Sequence, residues 1–341
     1  MDLEALCTEL QRQGRLDWVR PNGSVHRADA NETTAFARQL EYIMTEVQAA
    51  EGIDLSARRL FPTIVIPDWS DSHTHRQIVR VGKAKLVGSN YRANEVPQVE
   101  LYGKEFNFPV RSMIAGYNYS VDDVRRAVVT GINVDVEKGK AARRAIAELE
   151  ETIAFSGDTT HGVQGLFSST VSLTSVTQVS SYDWDHASNT PDGMLADVNA
   201  LLMATWSATR GQDVADTLCL GTKAYGLCSV TYQSATYKND TVLNFLLKSC
   251  PWLKAIEHVP WLDDIGGSSK ERIFVYKRDP SCVRQVIAQE FQQTQPDLTN
   301  WNWQVGCRAK TGGIEVRKPK SIAYMDGVIN AAGLTGGNLI A

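Results

Sequence analysis

A helix start at Asp135 carries the run VEKGKAARRAIAELEETIAF to residue 155, and this run constrains the chain more than any other. Val136, Ala142, Ile146, Leu149 and Ile153 recur at helical spacing along one stripe, with charges over the rest of the surface. About 20 residues make roughly 30 Å of rod, and a stripe that long has to be covered by another layer. Gly157 stands where a left-handed cap ends such a helix. Just upstream, YSVDDVRRAVV offers a second helix start, with Ser120 as cap and Asp122 and Asp123 in the first turn, interrupted by Gly131 and Asn133.

Residues 76–115 have a different character. RQIVRVGKAKLV and QVELYGKEFNFPVRSMI are extended, β-rich segments joined by GSNYRANEVP. Gly88, Ser89, Asn90, Asn94 and Pro97 are turn formers, so a long hairpin is expected. A two-stranded ribbon is marginal alone in water and must lie on something. Its mobility in the free subunit is expected on the same ground.

The remaining chain alternates less regularly. NETTAFARQLEYIMTEVQAA (31–50) reads as an amphipathic helix, and LFPTIVIPDWSDSHTH opens with a short strand bounded by prolines. A Ser/Thr-rich β stretch is expected over 168–181. After it, TPDGMLADVNALLMATWSATRG reads as a helix with Thr190 as cap, Pro191 in the first turn and Gly211 at its close. DTLCLGTKAYGLCSV suggests strand then helix, and DTVLNFLLKSC a further helix. ERIFVYKRD, VRQVIAQEF, WNWQVGCRAK and GGIEVRKPKSIAYM read as strands. Helices and strands are segregated rather than alternating, which defines an α+β chain.

Composition narrows the function classes. With 22% charged residues and a net charge of −4, no basic excess points to a tightly held nucleic acid. Cys7, Cys219, Cys228, Cys250, Cys282 and Cys307 form no CxxC pair, which suits reduced thiols. The acidic start MDLEALCTEL does not read as a secretory signal, and the apolar runs are too short to span a bilayer, so a soluble protein made inside the cell is expected.

Two stretches invite a chemical reading. In AFSGDTTHGVQGLF (154–167), Gly157, four residues and Gly162 are half of a phosphate-binding loop. Val163 and Gln164 follow where that loop needs lysine and a hydroxyl, and the stretch leaves a helix instead of opening one. The glycines are expected to reverse the chain. DSHTH (71–75) matches the D-x-H-x-H that opens metal-dependent amidohydrolase barrels, with His73 and His75 on one strand face. Of the other histidines, His26, His161, His186 and His258, none ends an apolar strand leading into a helix, so His73 and His75 are expected to be solvated in a loop. Cys219 and Cys228 are expected as small core residues. Asp263 and Asp264 are expected in a polar loop with no apolar pocket to perturb them. No catalytic residue, metal or cofactor is expected.

The remaining signal is electrostatic. Arg76, Arg80, Lys83, Lys85 and Arg92 fall in 76–94, which holds no acid, whereas Glu148, Glu150, Glu151 and Asp158 crowd the end of the long helix. Acids there oppose the helix dipole. Arg143 and Arg144, one turn earlier, offer compensation within the chain. A basic hairpin from a second copy offers it between chains, and that contact is the expectation adopted here.

Four of these stretches, in this order, resemble the major capsid proteins of tailed bacteriophages, whose Hong Kong 97-type fold is shared with encapsulin shells. GKAKLVGSNYRANEVPQVEL is similar to the family's extended hairpin, the E-loop. YNYSVDDVRRAVVTGINVDVEKGKAARRAIAELEETIAFSGD is similar to the approach to its spine helix and the helix itself, GVQGLF to the following turn, and GCRAKTGGIEVRKPKSIAYMDGV to the closing strands. The resemblance implies an N-terminal arm and helix over 1–60, the hairpin region over 61–118, and the spine helix with the first part of a peripheral domain over 119–189. An axial domain over 190–310 and peripheral strands returning over 311–341 complete it. It also implies a structural protein that assembles through hexamers and pentamers into an icosahedral shell around double-stranded DNA, held by weak non-specific contact. The virion, made in the host bacterial cytoplasm, is its implied location, with portal and scaffold proteins as partners. About 60 residues precede the hairpin, too few for a scaffolding extension, so any scaffold is expected to be separate. An encapsulin-like nanocompartment is the alternative from the same fold, and a hydrolase using His73 and His75 the alternative from another class.

Overall fold

The computed structural model describes residues 54–86, 96–130, 134–233, 239–263, 265 and 270–330. The expected helix over 31–50, Arg92, Gly131, Asn133, Asp264 and the turn between the hairpin strands lie outside the described residues. The described residues fall within the unit Gly52–Ala341.

The periodic stretch forms α3, Val134–Phe155, preceded by α2, Val121–Thr130, and by a one-turn helix α1, Ala57–Leu60. A reciprocal capping box starts α2: Asp123 N–H donates to Ser120 Oγ, and Ser120 N–H to Asp123 Oδ2, each at 3.1 Å.

α3 lies on a five-stranded sheet whose central element is β11, Asn302–Val316. On one side β11 runs antiparallel to β4, Arg111–Ser120, from Asn302↔Ser120 to Thr311↔Arg111. On the other it meets β10, Asp297–Thr299, and β9, Val283–Gln293, and β9 carries the parallel edge strand β1, Thr63–Val65. Alternation along β4 and β11 puts Met113, Val305, Cys307 and Ala309 against Ala142, Ile146 and Ile153 of α3. Val136 and Leu149, expected in this stripe, are exposed. Glu150, at the flank of the stripe, is buried instead, where Arg58 and Gln285 supply its hydrogen bonds.

The second sheet has the order β5-β12-β8-β6-β7, with β5 Thr174–Ser175, β6 Thr217–Leu220, β7 Ala255–His258, β8 Lys270–Tyr276 and β12 Ile322–Asn330. Helices α4 (Pro191–Ala208), α5 (Thr222–Val230) and α6 (Val242–Ser249) pack on it through Val198, Leu201, Leu218, Val242, Leu246 and Val275. Only two residues of the expected 168–181 strand pair. Asp197 of α4, fully buried, takes the Val179 and Ser180 N–H groups, the Ser180 hydroxyl and the Trp184 indole, and holds that segment as a loop.

A third cluster joins the sheets, with Leu60, Phe61, Phe155, Leu166, Phe274, Tyr276 and Ile314 in contact and the Tyr276 hydroxyl donating to the Leu60 carbonyl at 2.6 Å. The division expected at 310/311 does not coincide with the sheets. β9–β11 (283–316) lie beneath α3, and β12 crosses into the second sheet to pair with β8. Pro319 and the short 3-10 turn Pro319–Ser321 make that break.

Candidate assembly surface

Strands β2, Ser72–Val81, and β3, Glu100–Pro109, form the hairpin as an antiparallel ribbon outside both sheets, in register from Ser72↔Pro109 to Val81↔Glu100. The expected second strand therefore divides at Val110. Residues up to Pro109 belong to the ribbon, and those from Arg111 belong to the α3 sheet. Beyond His75 and Phe106 both faces meet solvent. Ile78 and Leu101 are 68% and 66% exposed on one face, and Val79, Tyr102 and Val81 are exposed on the other. Arg76 pairs with Glu105 across the strands at 2.7 Å. Arg80 and Lys83 have no ion pair among the described residues, and Lys85 is exposed.

At its inner end the ribbon docks on β11. The expectation of two solvated histidines in a loop does not hold: His73 and His75 sit on β2 with side chains 11% and 14% exposed. They stack on Phe108 and Phe106 of β3 and face Glu315 of β11. Arg284 of β9 donates to Glu315 Oε2 at 2.6 Å, and Arg317 donates to His75 Nδ1 at 2.8 Å. Burial would raise the Glu315 carboxyl, but His73 and Arg284 outweigh it and hold it at about 2. Burial, and then Arg317, hold His75 below the ordinary histidine value. The two guanidinium groups set positive charge beside Glu315 Oε2 and His75 Nδ1, and no metal-ligating cluster of three or more His, Cys, Asp or Glu occurs among the described residues.

The acids expected to meet a neighbouring basic hairpin divide. Glu151 is buried, and its carboxylate accepts from Ser56 N–H at 2.9 Å, Ser56 Oγ at 2.7 Å and Ala57 N–H at 2.8 Å, capping α1. Burial raises its carboxyl more than these donors lower it. Glu150, also buried, accepts a fork of two bonds from Arg58 at 2.9 and 2.8 Å and one from Gln285 at 2.6 Å. Glu150 and Glu151, expected as inter-subunit contacts, thus find hydrogen-bond partners within the subunit. Glu148, half-buried, pairs with Arg144 one turn back at 2.7 Å, while Arg143 stacks on Phe291. Asp158 pairs with His161 and accepts from the N–H groups of Thr160 and His161.

The glycine stretch after α3 closes the helix. Gly157 has φ +75°, and its N–H donates to the Ile153 carbonyl at 2.9 Å. A Cβ on Gly157 would stand 2.6 Å from Gly165 N, and one on Gly165 only 2.2 Å from Gly157 N, so the two backbones touch directly. Leu166 and Phe167 N–H then take the carbonyls of Ala154 and Phe155. The loop is filled by its own backbone.

Sequence reasoning missed a second buried acidic site. Asp263, expected in a polar loop, is buried, and Thr222 N–H donates to it at 2.6 Å. Fully buried Glu271 of β8 accepts from Ala224 N–H at 3.2 Å, so two carboxylates cap α5. Burial, with Asp263 beside it, raises Glu271 to about 7. Cys219 and Cys228 are core residues whose thiols burial pushes up, Cys228 to about 12. No helix among the described residues is long and apolar enough to cross a membrane.

The ribbon thus stands apart from a helix-backed sheet, which the Phe155–Tyr276 cluster joins to a second sheet. The sequence profile of the family described as major capsid protein matches residues 82–328. The chain belongs to that family, its fold is of the Hong Kong 97 type, and its role is structural, in a capsid. It is similar to the capsid of Myoviridae Phage XM1, with a TM-score of 0.75 and 16% identity over 85% of this chain and 98% of that one. It is also similar to the capsid of a native GTA particle (TM-score 0.61, 14% identity, 89% and 100% covered). A third similar structure is from Mycobacterium phage Adephagia (TM-score 0.58, 9% identity, 87% and 98% covered). No curated protein matches the sequence.

Proposed function

We propose that copies of this chain associate into hexamers and pentamers and close into an icosahedral phage head around double-stranded DNA. The observation that carries this reading is the outer ribbon, ten residues to a strand, with Ile78, Val79, Val81, Leu101 and Tyr102 exposed. A lone ribbon of that kind does not hold itself in water, and a neighbouring subunit supplies the missing surface. Arg76, Arg80, Lys83, Lys85 and Arg92 are the basic side of that contact, and Glu148 is the member of the helix-end acids left to meet it. With a net charge of −4 the shell encloses DNA through weak, non-specific contact. A portal protein and a separate scaffold are the further partners, and synthesis is in the host bacterial cytoplasm.

Light scattering behind size exclusion, with negative-stain imaging, tests the reading on the full chain, co-expressed with its scaffold where one is needed. Closed particles tens of nanometres across are expected by the general size of such shells. Arg80→Glu with Lys83→Glu is expected to abolish them while leaving a folded subunit. Particles unchanged by that double reversal would remove the basic ribbon from the contact. Co-purifying protein cargo in place of DNA would move the assignment to a cellular compartment.

A further inference from the structure

The junction between ribbon and sheet contains more ionisable chemistry than docking requires. His73 and His75 of β2 face Glu315 and Arg317 at the end of β11 and Arg284 of β9, with Lys104 of β3 over the Phe106 ring at 4.7 Å. Next to them, Lys310 donates to the Asp68 carbonyl and stands 3.6 Å from Asp71. A single buried carboxylate, Glu315, thus faces two guanidinium groups and two imidazoles. Both ring nitrogens of His73 are buried without a hydrogen-bond partner, as is Glu315 Oε1. His73 stands 3.4 Å and His75 3.8 Å from the Glu315 oxygens. Arg317 is a donor only, so the His75 Nδ1 it reaches carries no proton and the ring is neutral.

We infer that the ribbon is fastened to the sheet by a proton-operated latch, in which neutral His75 holds Arg317 and its protonation expels the ribbon base from β11. A proton on Nδ1 abolishes the Arg317 bond. It also sets a further cation beside Arg284 and Arg317, against one carboxylate already shared. The depression of His75 by burial and Arg317 agrees in sign: the docked state binds the proton less readily than the free one. Docking is therefore complete above the ordinary histidine value, about 6.5, and is lost progressively as pH falls below it. His73 stands 3.4 Å from Glu315 Oε2, the oxygen that accepts from Arg284. Once off the sheet, the two-stranded ribbon has too little support to stay paired. The latch lies within one subunit and does not depend on what the outer ribbon touches.

Hydrogen–deuterium exchange on the full-length protein at pH 7.5 and pH 5.0, corrected for intrinsic rates, tests this. Peptides over 72–81 and 100–109 should exchange at least tenfold faster at the lower pH, while those over β8 and β12 stay unchanged. His75→Gln, whose amide oxygen still accepts from Arg317 but cannot titrate, should keep the ribbon protected at both values. Equal ribbon protection in the wild type at both values overturns the latch, as does equal loss in the variant. Should the variant not fold, NMR titration of the wild-type His75 ring decides: the ribbon must open at the pH where that ring protonates, and a separate midpoint overturns the proposal.

Discussion

Glu148, Glu150 and Glu151 crowd the last turns of α3, while Arg76, Arg80, Lys83 and Lys85 run along the ribbon; as sequence the two runs look equally like solvated charge. In the fold they part. Two of the three acids are drawn inside, where Ser56, Ala57, Arg58 and Gln285 converge on them. Of the bases, Arg76 pairs across its own ribbon, and Arg80 and Lys83 face solvent. The difference lies in the supply of partners. An acid beside the free N–H groups of a helix start can be buried, because those groups need an acceptor as much as it needs donors. A lysine or arginine on a strand with nothing beyond it has only water or another molecule to meet.

The sharpest way to break this contrast is Glu151→Ala. It strips the acceptor from two backbone N–H groups and one hydroxyl at the start of α1, and a loss of about 3–4 kcal/mol is expected from denaturant unfolding of the unassembled subunit. The ribbon reversals Arg80→Glu and Lys83→Glu should change the same quantity by less than about 0.5 kcal/mol, while abolishing particles. If the two regions responded alike, the division into inward acids and outward bases would be wrong.

This division was only partly legible in the sequence. The long helix, the hairpin and α4 announced themselves through period and punctuation, with Gly157 and Pro191 marking the ends. Burial of Glu150 and Glu151 did not, because their partners lie more than ninety residues away in α1. His73 and His75 were misplaced for the same reason, since the carboxylate they face is on β11. Asp197 turns an expected strand into a loop through partners at Val179, Ser180 and Trp184 that no local pattern marks. The crossing of β12 into the second sheet rests on pairing with β8, and its own pattern of apolar residues fits either sheet. Local signals set the elements, and long-range partners set which charges went in.

Glu271 extends the contrast to pH. Its carboxyl is raised from 4.5 to about 7, so the fold favours the protonated acid. The stability this residue contributes is full below the unfolded value and falls as pH rises through the interval to about 7, by at most about 3 kcal/mol. Glu271→Gln keeps an acceptor for the Ala224 N–H and cannot ionise, so the variant should gain on the wild type by that amount between pH 4.5 and pH 7.5. Parallel stability profiles would mean that Glu271 ionises freely where it stands, and that burial at the start of α5 does not favour the neutral acid.

Glu148 supplies the finest test, because it belongs to the acidic run but kept its exposure. Its pair with Arg144 is an i, i+4 contact between half-exposed side chains, so Glu148→Gln should cost only about 0.3–0.5 kcal/mol in the isolated subunit. An effect on assembly therefore cannot come through stability. If the basic ribbon of a neighbour meets this helix end, the variant should raise the subunit concentration needed for particles, and raise it less at high salt, where screening already weakens the wild-type contact. An unchanged threshold at low salt would leave the acids of α3 with an internal role alone, and the ribbon's partner would have to be sought on a surface without them.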